Sequence, residues 1–501
     1  MRFKRAIYLL VGIMFTMLSN KCFCQISKNV SPRYTITLDE AHIGSLKIDS
    51  MLLDSYGKAP LNSMKFYLDA RKLFKNNKAD FTDRQIVEAA LNNDMSLMGG
   101  PMLGDITENG VSIWLRPSNK LPIHIKVNAL NSKEEKDYTL KPGVAGKEKR
   151  IVLKDLSPST KYTYVAKTKG IEIAEGTFRT SPKLDENNQI RLAFGSGFHK
   201  IGLHNPNLIN TILQREPNAM LLLGDIAVDD RENNFSMHRS DYLLRDVSNA
   251  WKKLASNIPV YASWDDHDYL NNDLSGVPKR FTEKDREELR TLWRQNWNNP
   301  QNDGEGIYFS TRIGQVELIM LDTRSCRTIE KRGQYGSYLG TEQLKWFKDI
   351  LKKSTAHFKV VSSGTMWSDY VSNGKDSWGT WDTMVREEIF NFMETENIPG
   401  VLLISGDRHG ARGFTIPRKS GFKFYEFEAA SLGGVPGPDA MAKEATNQIF
   451  GYGGKGLKAF GEFTFNMEES DPQVVFRLID EFGNVMEQHT LLYDMLTPRK
   501  Q

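Results

Sequence analysis

Carboxylate and imidazole side chains concentrate in one short segment near the middle of the chain. Residues 265–268 read Asp-Asp-His-Asp, and Asn-Asn-Asp follows at 271–273. Carboxylates this close repel one another unless a cation or a proton lies between them. Carboxylate and amide oxygens favour calcium or magnesium, and a neighbouring imidazole extends the choice to zinc, manganese or iron. The segment predicts a metal site with candidate ligands Asp265, Asp266, Asn271 and Asn272, and a solvated acidic loop is the alternative.

Two further motifs carry the same residue types. Gly224 precedes Asp225 at the end of an apolar run, and glycine allows the sharp backbone turn that would expose the carboxylate. In the sequence Gly-Asp-Arg-His at 406–409, Asp407 and His409 alternate with one arginine, so both would face one side of an extended segment. We predict that Asp225, Asp407 and His409 are metal ligands and that Arg408 forms a structural salt bridge. The alternative for Asp225 is a turn residue that caps a helix.

Arg324 follows another apolar run, in the sequence Asp-Thr-Arg at 322–324. Its planar guanidinium could bind a phosphate oxygen, which is the catalytic interpretation, or it could brace the acidic loops. Several other residues could line a site, but their types are more common in packing, and we interpret them as packing residues: Ser196, His199, Trp264, Trp367 and Trp378. The isolated histidines receive the same interpretation: His124, His238 and His357.

The candidate ligands share a position at the ends of apolar runs that have strand character. Five runs end in polar clusters: 191–197, 219–225, 258–266, 316–324 and 401–409. Strands alternate with helical stretches from residue 190 onward, which indicates an α/β arrangement, and ligands bind such sheets beyond the carboxyl ends of their strands. Apolar runs after residue 460 predict closing antiparallel strands. We assign residues 189–495 to one catalytic domain that gathers these side chains at one edge.

The N-terminal part divides into two regions with different patterns. Residues 99–182 alternate strand formers with turn residues, which predicts an all-β module that is similar to a fibronectin type III sandwich. Residues 25–98 are expected to form a mostly helical lead-in without chemistry, with a helix over 83–91 and Thr82 as its N-cap.

The first residues have the pattern of an export signal. A basic head is followed by an apolar run over 6–18, too short to span a membrane as a helix, and polar residues come next. We expect a signal peptide over residues 1–24, cleaved after Cys24, and a periplasmic or secreted protein; lipid attachment at Cys22 is the alternative. Cys326 would then be the remaining cysteine, so no intramolecular disulfide is expected.

Charge balance excludes one class of partner. The 501 residues contain 66 Lys and Arg and 62 Asp and Glu, and four of the basic residues lie within the predicted signal peptide. The remaining chain has 62 residues of each sign, without the basic excess typical of proteins that bind nucleic-acid phosphates. No nucleic-acid-binding patch and no transmembrane helix are expected, and the sequence does not indicate an oligomeric state.

Taken together, these motifs resemble the alkaline phosphatase D (PhoD-like) family of metallophosphoesterases over roughly residues 97–495. The most specific element is the tryptophan-led segment Trp264–Asp273, supported by the motifs at 99–104, 223–225, 321–324 and 405–409. The resemblance implies an α+β fold: a four-layer αββα metallophosphoesterase core preceded by a fibronectin III-like β-sandwich. It also implies hydrolysis of phosphate esters by a cluster of metal ions.

The resemblance implies roles for individual residues. Asp225 would bridge two metals, Asp407 and His409 would be the closing pair of ligands, and His267 would contact the phosphoryl group or protonate the leaving alcohol. Asn271 or Asn272 would complete an oxygen-rich calcium site.

At two positions the chain departs from the family. The family's ferric-iron ligands are a cysteine and a tyrosine, where this chain has Gly197 and Val228. Neither side chain can bind a metal, so iron is not assured there, and zinc, magnesium, manganese and iron stay open. Calcium is expected at the oxygen-rich site. The candidate replacements for the missing ligands are His199, Asp229 and Asp230.

Two functions follow from these patterns. The first is a metal-dependent hydrolase of small-molecule or lipid phosphate esters, either monoesters or diesters, that uses a metal-activated water. The alternative is a catalytically degenerate relative that binds phosphate-bearing or glycan ligands through the same residues.

Overall fold

The structure is a computed structural model that describes residues 29–77, 79–227, 234–302, 304–371, 376–442, 445–468 and 470–499. The predicted signal peptide lies outside these ranges, as do Val228, Asp229 and Asp230. Within these ranges, no helix combines the length and the apolar character needed to cross a membrane.

The lead-in is helical, as its spacing predicted. It forms α1 (Leu38–Ile43), α2 (Leu46–Leu53), α3 (Leu61–Asn77) and α4 (Arg84–Asn92). Helix α4 begins one residue later than expected and its N-cap residue is Asp83. Apolar residues of α2, α3 and α4, including Phe66, Phe74 and Ile86, form a buried cluster.

The all-β region forms two antiparallel sheets. Its strands are β1 (Leu97–Thr107), β2 (Gly110–Pro117), β3 (Ile123–Ala129), β4 (Glu135–Leu140), β5 (Lys149–Leu153), β6 (Lys161–Thr168) and β7 (Ile171–Arg179). The strand orders are β1-β2-β5 and β4-β3-β6-β7. Ile113 on the first sheet and Val127 and Tyr164 on the second belong to one buried cluster. The assignment of this region to the fibronectin type III type stays a prediction.

The catalytic region begins with α/β units. They are β8 (Gln189–Gly195), α5 (Pro206–Gln214), β9 (Ala219–Leu223), α6 (Phe235–Val247), α7 (Asn249–Ala255), β10 (Val260–Ser263), α8 (Asp266–Tyr269) and α9 (Glu283–Asn296). Leu243, Leu244 and Val247 of α6 join the buried cluster of the lead-in, so the lead-in is packed against the catalytic region.

The rest of the catalytic region alternates strands and helices and then closes with antiparallel strands. It contains β11 (Phe309–Ile313), β12 (Val316–Met320), α10 (Gly340–Lys353), β13 (Phe358–Ser362), α11 (Trp378–Thr395), β14 (Val401–Ser405), β15 (Gly410–Pro417), β16 (Lys423–Ala429), β17 (Gln448–Gly453), β18 (Ala459–Asn466), β19 (Gln473–Asp480) and β20 (Val485–Leu492). Two mixed sheets result, with the orders β10-β9-β8-β18-β19-β20 and β11-β12-β13-β14-β16-β15-β17.

These two sheets are packed face to face between helices. Phe427 of the seven-stranded sheet lies 4.2 Å from Phe476 and 5.5 Å from Phe463 of the six-stranded sheet, measured between ring centroids. The outer face of the six-stranded sheet contacts α5, α7 and α9, and that of the other sheet contacts α10 and α11. This helix–sheet–sheet–helix order agrees with the predicted four-layer core.

Parallel pairing brings the ends of the predicted strands together. Strands β8, β9 and β10 pair in parallel in one sheet, and β12, β13 and β14 do so in the other. The Ser263 hydroxyl at the end of β10 donates to Leu321 O just after β12 at 2.6 Å, so the loops after these strands leave both sheets at one end of the molecule.

Candidate metal centre

The loop after β8 is bonded to the loop after β9. The backbone N–H of Gly197 donates to Gly224 O at 3.1 Å, and that of His199 donates to Asp225 O at 2.9 Å. His199 has a φ of +45°, so its backbone is left-handed. These bonds hold the His199 imidazole against the Asp225 carboxylate.

Gly224 allows the loop after β9 to approach the loop after β10. Its φ is +105°, and a Cβ added there would lie 2.4 Å from Cβ and 2.5 Å from the backbone nitrogen of Asp265. Because no side chain fits in that space, only glycine lets Asp225 reach the carboxylates of the next loop.

Three side chains form a nitrogen-rich donor group: His199, Asp225 and His409. Nε2 of His199 lies 2.9 Å from Nε2 of His409 and 3.6 Å from Oδ2 of Asp225. Nδ1 of His409 lies 2.8 Å from Pro436 O. A carbonyl can only accept, so His409 carries its proton on Nδ1 and its Nε2 is available to a metal. Burial lowers the pKa of His409 to about 4, so this imidazole is neutral at neutral pH.

Three carboxylates form an oxygen-rich donor group: Asp265, Asp266 and Asp407, with ligand atoms within 4.8 Å of one another. Asp225, Asp266 and His267 form a third group that links the first two. Oδ1 of Asp225 and Oδ2 of Asp265 are buried and have no hydrogen-bond partner among the described residues. Buried carboxylate oxygens without a donor are strongly destabilising unless a cation neutralises them, so this donor set fits bound metal ions.

Burial and mutual repulsion shift the carboxyl groups of the site. Burial, with the charge of Asp266, raises the pKa of Asp225 well above its ordinary value. The pKa of Asp407 rises in the same way through burial and the charge of Asp265. Burial also raises the pKa of Asp265 to about 6, although Arg324 opposes the shift. Burial would raise the pKa of Asp266 too, but Arg324 and His267 hold it below its ordinary range.

Arg324 is fully buried among carboxylates. It forms ion pairs with Asp265 and Asp376, and its Nη2 lies 3.9 Å from Oδ2 of Asp266. The guanidinium of Arg324 therefore faces these three carboxylates and holds them in place. This contact set favours the bracing interpretation of Arg324 over the catalytic one.

The asparagines predicted as ligands make hydrogen bonds within their own turn. Oδ1 of Asn271 accepts from the backbone N–H of Asn272 at 2.7 Å. Asn272 is exposed, and its side-chain amide donates to Asp273 at 3.0 Å. The same turn contributes a backbone N–H from Asp273 to Oδ2 of Asp266 at 2.6 Å. Local hydrogen bonds therefore use the amide oxygen of Asn271 and the amide nitrogen of Asn272, and a calcium site at these asparagines stays a prediction.

The segment at 406–409 is a turn, where an extended chain was expected. Asp407 and His409 have φ values of +74° and +36°. Their side chains therefore join different groups, Asp407 with the carboxylates and His409 with His199. Nη1 of Arg408 lies 3.2 Å from Oδ2 of Asp407, in a salt bridge.

Four residues of the donor groups were not predicted as site residues: His42, His199, Asp273 and Asp376. His199 was interpreted as packing and otherwise only as a replacement ligand, and it joins the nitrogen-rich group. Asp376 forms a group with Asp266 and Asp273. His42 of α1 forms a group with His199 and His267, so the lead-in, which was expected to contribute no chemistry, reaches the candidate site. The sequence contained no local signal for His42, because it is an isolated histidine outside any strand end.

Comparison with known proteins assigns the chain to a family. The sequence model described as PhoD-like phosphatase matches residues 209–486, more than half of the chain. The chain belongs to the PhoD-like phosphatase family. The resemblance found from the motifs is thus confirmed.

One curated relative and two solved structures are similar to this PhoD-like chain. Alkaline phosphatase D of Bacillus subtilis (strain 168) is 25% identical over 260 residues, which span 45% of this chain and 43% of that protein. A structure of PhoD aligns with a TM-score of 0.66 and 17% identity, covering 81% of this chain and 92% of that one. Purple acid phosphatase PPD1 from yellow lupin (Lupinus luteus) seeds aligns with a TM-score of 0.59 and 14% identity, covering 79% and 75% of the two chains. At these identities the two structures show the fold alone.

Gly197, the position for which the resemblance implies a thiolate in the family, lies beside His199. A Cβ added to Gly197 would lie 3.7 Å from Cδ2 of His199. The imidazole thus stands next to the space that a cysteine side chain would enter. His199, Asp225 and His409 are the residues that could hold a metal there, and Asp265, Asp266 and Asp407 are those that could hold a second.

Proposed function

We propose that this PhoD-like chain hydrolyses phosphate esters with a water molecule activated by bound metal ions. The observation that carries the proposal is the pair of adjoining donor groups, linked through Asp225 and Asp266, with buried carboxylate oxygens that lack hydrogen-bond partners. Membership of a phosphatase family supports it independently.

The metal ions would supply positive charge for phosphate oxygens and would lower the pKa of a bound water. His267, in the first turn of α8, has a ring nitrogen within 4.8 Å of carboxylate oxygens of Asp225 and Asp266. From there its imidazole would hold a phosphoryl oxygen or give a proton to the leaving alcohol. Asp268 holds the geometry of the loop, since its side chain accepts from the backbone N–H groups of Ile226 and Asp265 at 3.1 and 3.3 Å.

We propose different metals for the two groups. Two imidazoles and one carboxylate suit zinc, with manganese or iron as the other candidates. The all-carboxylate group suits calcium or magnesium, of which calcium better tolerates an irregular set of oxygen ligands. Metal analysis of the purified protein tests this assignment directly: we expect zinc and calcium together, and iron in place of zinc would contradict it.

The substrate class that we propose is a small-molecule or lipid phosphate ester, reached outside the cytoplasm. The basic head and short apolar run at the N-terminus support export to the periplasm or the medium. Whether monoesters or diesters are preferred is decided by comparing nitrophenyl phosphate with bis-nitrophenyl phosphate.

The decisive experiment is an assay of the purified chain on both nitrophenyl substrates, with added zinc and calcium and with a chelator. We expect turnover that the chelator removes and that the metals restore. Asp225→Asn should abolish this turnover. The control variant, His124→Asn, changes an exposed residue of β3 in the N-terminal β region and should leave the turnover unchanged. Absence of chelator-sensitive turnover with any of these metals would overturn the proposed function.

Gly197 stands where the resemblance implies a cysteine ligand. This loss of a ligand favours a second candidate function, the binding of phosphate-bearing or glycan ligands without hydrolysis. Retained metal with measurable phosphate binding but no turnover would select it.

A further inference from the structure

His42 lies beside the metal centre although it belongs to the lead-in. Its Nε2 is 3.4 Å from Nδ1 of His199, and its ring centroid is 4.5 Å from that of His267. It is half-buried at the C-terminal end of α1.

The two ring nitrogens of His199 face in different directions. Nε2 faces His409 and Asp225, the other members of the nitrogen-rich group, while Nδ1 faces His42. When a histidine binds a metal through one nitrogen, the other carries a proton, and an acceptor for that proton fixes the orientation of the ring and raises its basicity. Nε2 of His42 is placed to be that acceptor.

Helix α1 is fixed to the loop that carries His199. Thr37 and Glu40 form a capping box at its start, with the Glu40 carboxylate 2.9 Å from the backbone nitrogen of Thr37. The Ala41 carbonyl accepts from Nζ of Lys200 at 3.3 Å, and the same ammonium group lies 3.1 Å from Asp241 of α6. Because Lys200 follows His199 directly, this contact sets the distance between His42 and His199.

We propose that His42 is a positioning residue of the metal centre, which accepts a hydrogen bond from Nδ1–H of His199 and so holds Nε2 of His199 toward the metal. The inference deepens the proposed function and rests on it. It assigns a role to the lead-in: α1 supplies an acceptor for a ligand that stands beside the position where the family has a thiolate. A neutral imidazole lacks the charge of a thiolate, so its orientation and basicity matter more here.

The test compares His42→Gln with His42→Asn. The glutamine amide oxygen occupies nearly the place of Nε2, whereas the asparagine side chain is one methylene shorter and does not reach it. Both substitutions keep an amide of the same chemistry, so a general loss of packing would affect both. His124→Asn is the matched control, because it removes an imidazole from an exposed site on β3.

The measurements are zinc affinity, by competition with a chelator, and the visible absorption of the cobalt-substituted protein. We expect His42→Asn to weaken zinc binding by about 10- to 100-fold, the usual effect of losing such a partner, and to change the cobalt spectrum. His42→Gln should stay within about threefold of the original protein. In a His199→Ala background, His42→Asn should have no further effect on zinc affinity, since His42 acts through His199.

Equal zinc affinities and cobalt spectra for His42→Asn and His124→Asn would overturn the proposal. So would an undiminished effect in the His199→Ala background, which would instead make His42 a direct ligand or a packing residue. Neither measurement uses turnover, so a protein that binds zinc as expected but hydrolyses nothing would contradict the proposed function and leave the role of His42 intact.

Discussion

At the scale of single residues, the candidate centre is defined by carboxyl groups that are buried close together. Asp225 and Asp407 have raised pKa values because burial and neighbouring negative charges both oppose ionisation. Their ionised forms are therefore costly in the metal-free protein and favourable once cations are bound. The ionised carboxylates of Asp225 and Asp407 therefore favour metal binding but destabilise the metal-free fold.

Asp407→Asn tests this opposition. A carboxyl group with a raised pKa in the folded state stabilises the fold below its unfolded pKa and loses that contribution as the pH rises toward the folded value. The metal-free original protein should therefore lose stability as the pH rises above 3.8, the ordinary pKa of the Asp407 carboxyl group, and the variant should lose less. With chelator at pH 8 we expect Asp407→Asn to melt about 1–3 °C higher, by calorimetry.

The same variant should bind less metal and show no metal-induced rise in melting temperature. A lower melting temperature of metal-free Asp407→Asn at pH 8 would contradict this account.

His267→Gln separates chemistry from metal binding. If His267 contacts the phosphoryl group or the leaving alcohol, kcat should fall about 10²- to 10⁴-fold while the metal content stays near that of the original protein. Kinetics with nitrophenyl phosphate and elemental analysis of the same samples check this. Joint loss of metal and activity would show that His267 is a ligand.

Local sequence identified most single residues of the site, but not their partners. Asp225, Asp265, Asp266, Asp407 and His409 stand at strand ends beside other polar residues, which is a pattern visible in the chain. Asn271 and Asn272 have the same local pattern, yet their amides are used within their own turn. The choice between a turn and a metal depends on backbone angles that composition does not reveal.

At the scale of elements, the centre depends on how closely the loops after β9 and β10 approach. Gly224 lies at that contact, and Asp265 of the loop after β10 fills the space that a side chain at position 224 would need. The strands that precede the site loops, β8, β9, β10, β12 and β14, were predicted, because each is a buried apolar run with a polar end. Strands β1, β4 and β5 of the N-terminal sheets were not identified, since their apolar residues alternate less regularly with polar ones.

Gly224→Ala should push these two loops apart. The added Cβ would clash with the backbone of Asp265 and would require a strained backbone at φ +105°. We expect a loss of about 2–4 kcal/mol in the free energy of unfolding, measured by denaturant titration, together with weaker metal binding.

Gly57→Ala is the matched control, because a Cβ at Gly57 would meet no atom within 4 Å. Equal stability of the two alanine variants would show that the loops do not approach as the structure indicates.

At the scale of the whole molecule, the donor groups join the two sheets of the core. Asp225 and Asp266 follow strands of the six-stranded sheet, while Asp407 and His409 follow a strand of the seven-stranded sheet. Alternating strands and helices indicated an α/β arrangement, and the resemblance to the PhoD-like family implied the four-layer order. The contact of α1 with this centre could not be anticipated, because His42 and His199 are 157 positions apart and no periodic pattern relates them.

Metal removal should therefore loosen both sheets at one end. A ligand present at 100 times its dissociation constant stabilises the folded state by about 2.7 kcal/mol, so chelation should lower the melting temperature by several degrees. Hydrogen exchange should increase in the loops after β8, β9, β10 and β14, and not in β19 or β20. Uniform acceleration across the chain, or none, would contradict a centre that joins the sheets.

The order in which these ligands occur along the chain constrains biogenesis. A nascent polypeptide exposes His42 first, His199 and Asp225 much later, and Asp407 and His409 only when four-fifths of its length has been made. The nitrogen-rich and oxygen-rich groups are both complete only once Asp407 and His409 have been made, so we expect the full set of ions to be bound after synthesis is nearly complete, in whichever compartment the finished chain folds. The metals available in that compartment, rather than those at the ribosome, would then determine which ions the protein carries.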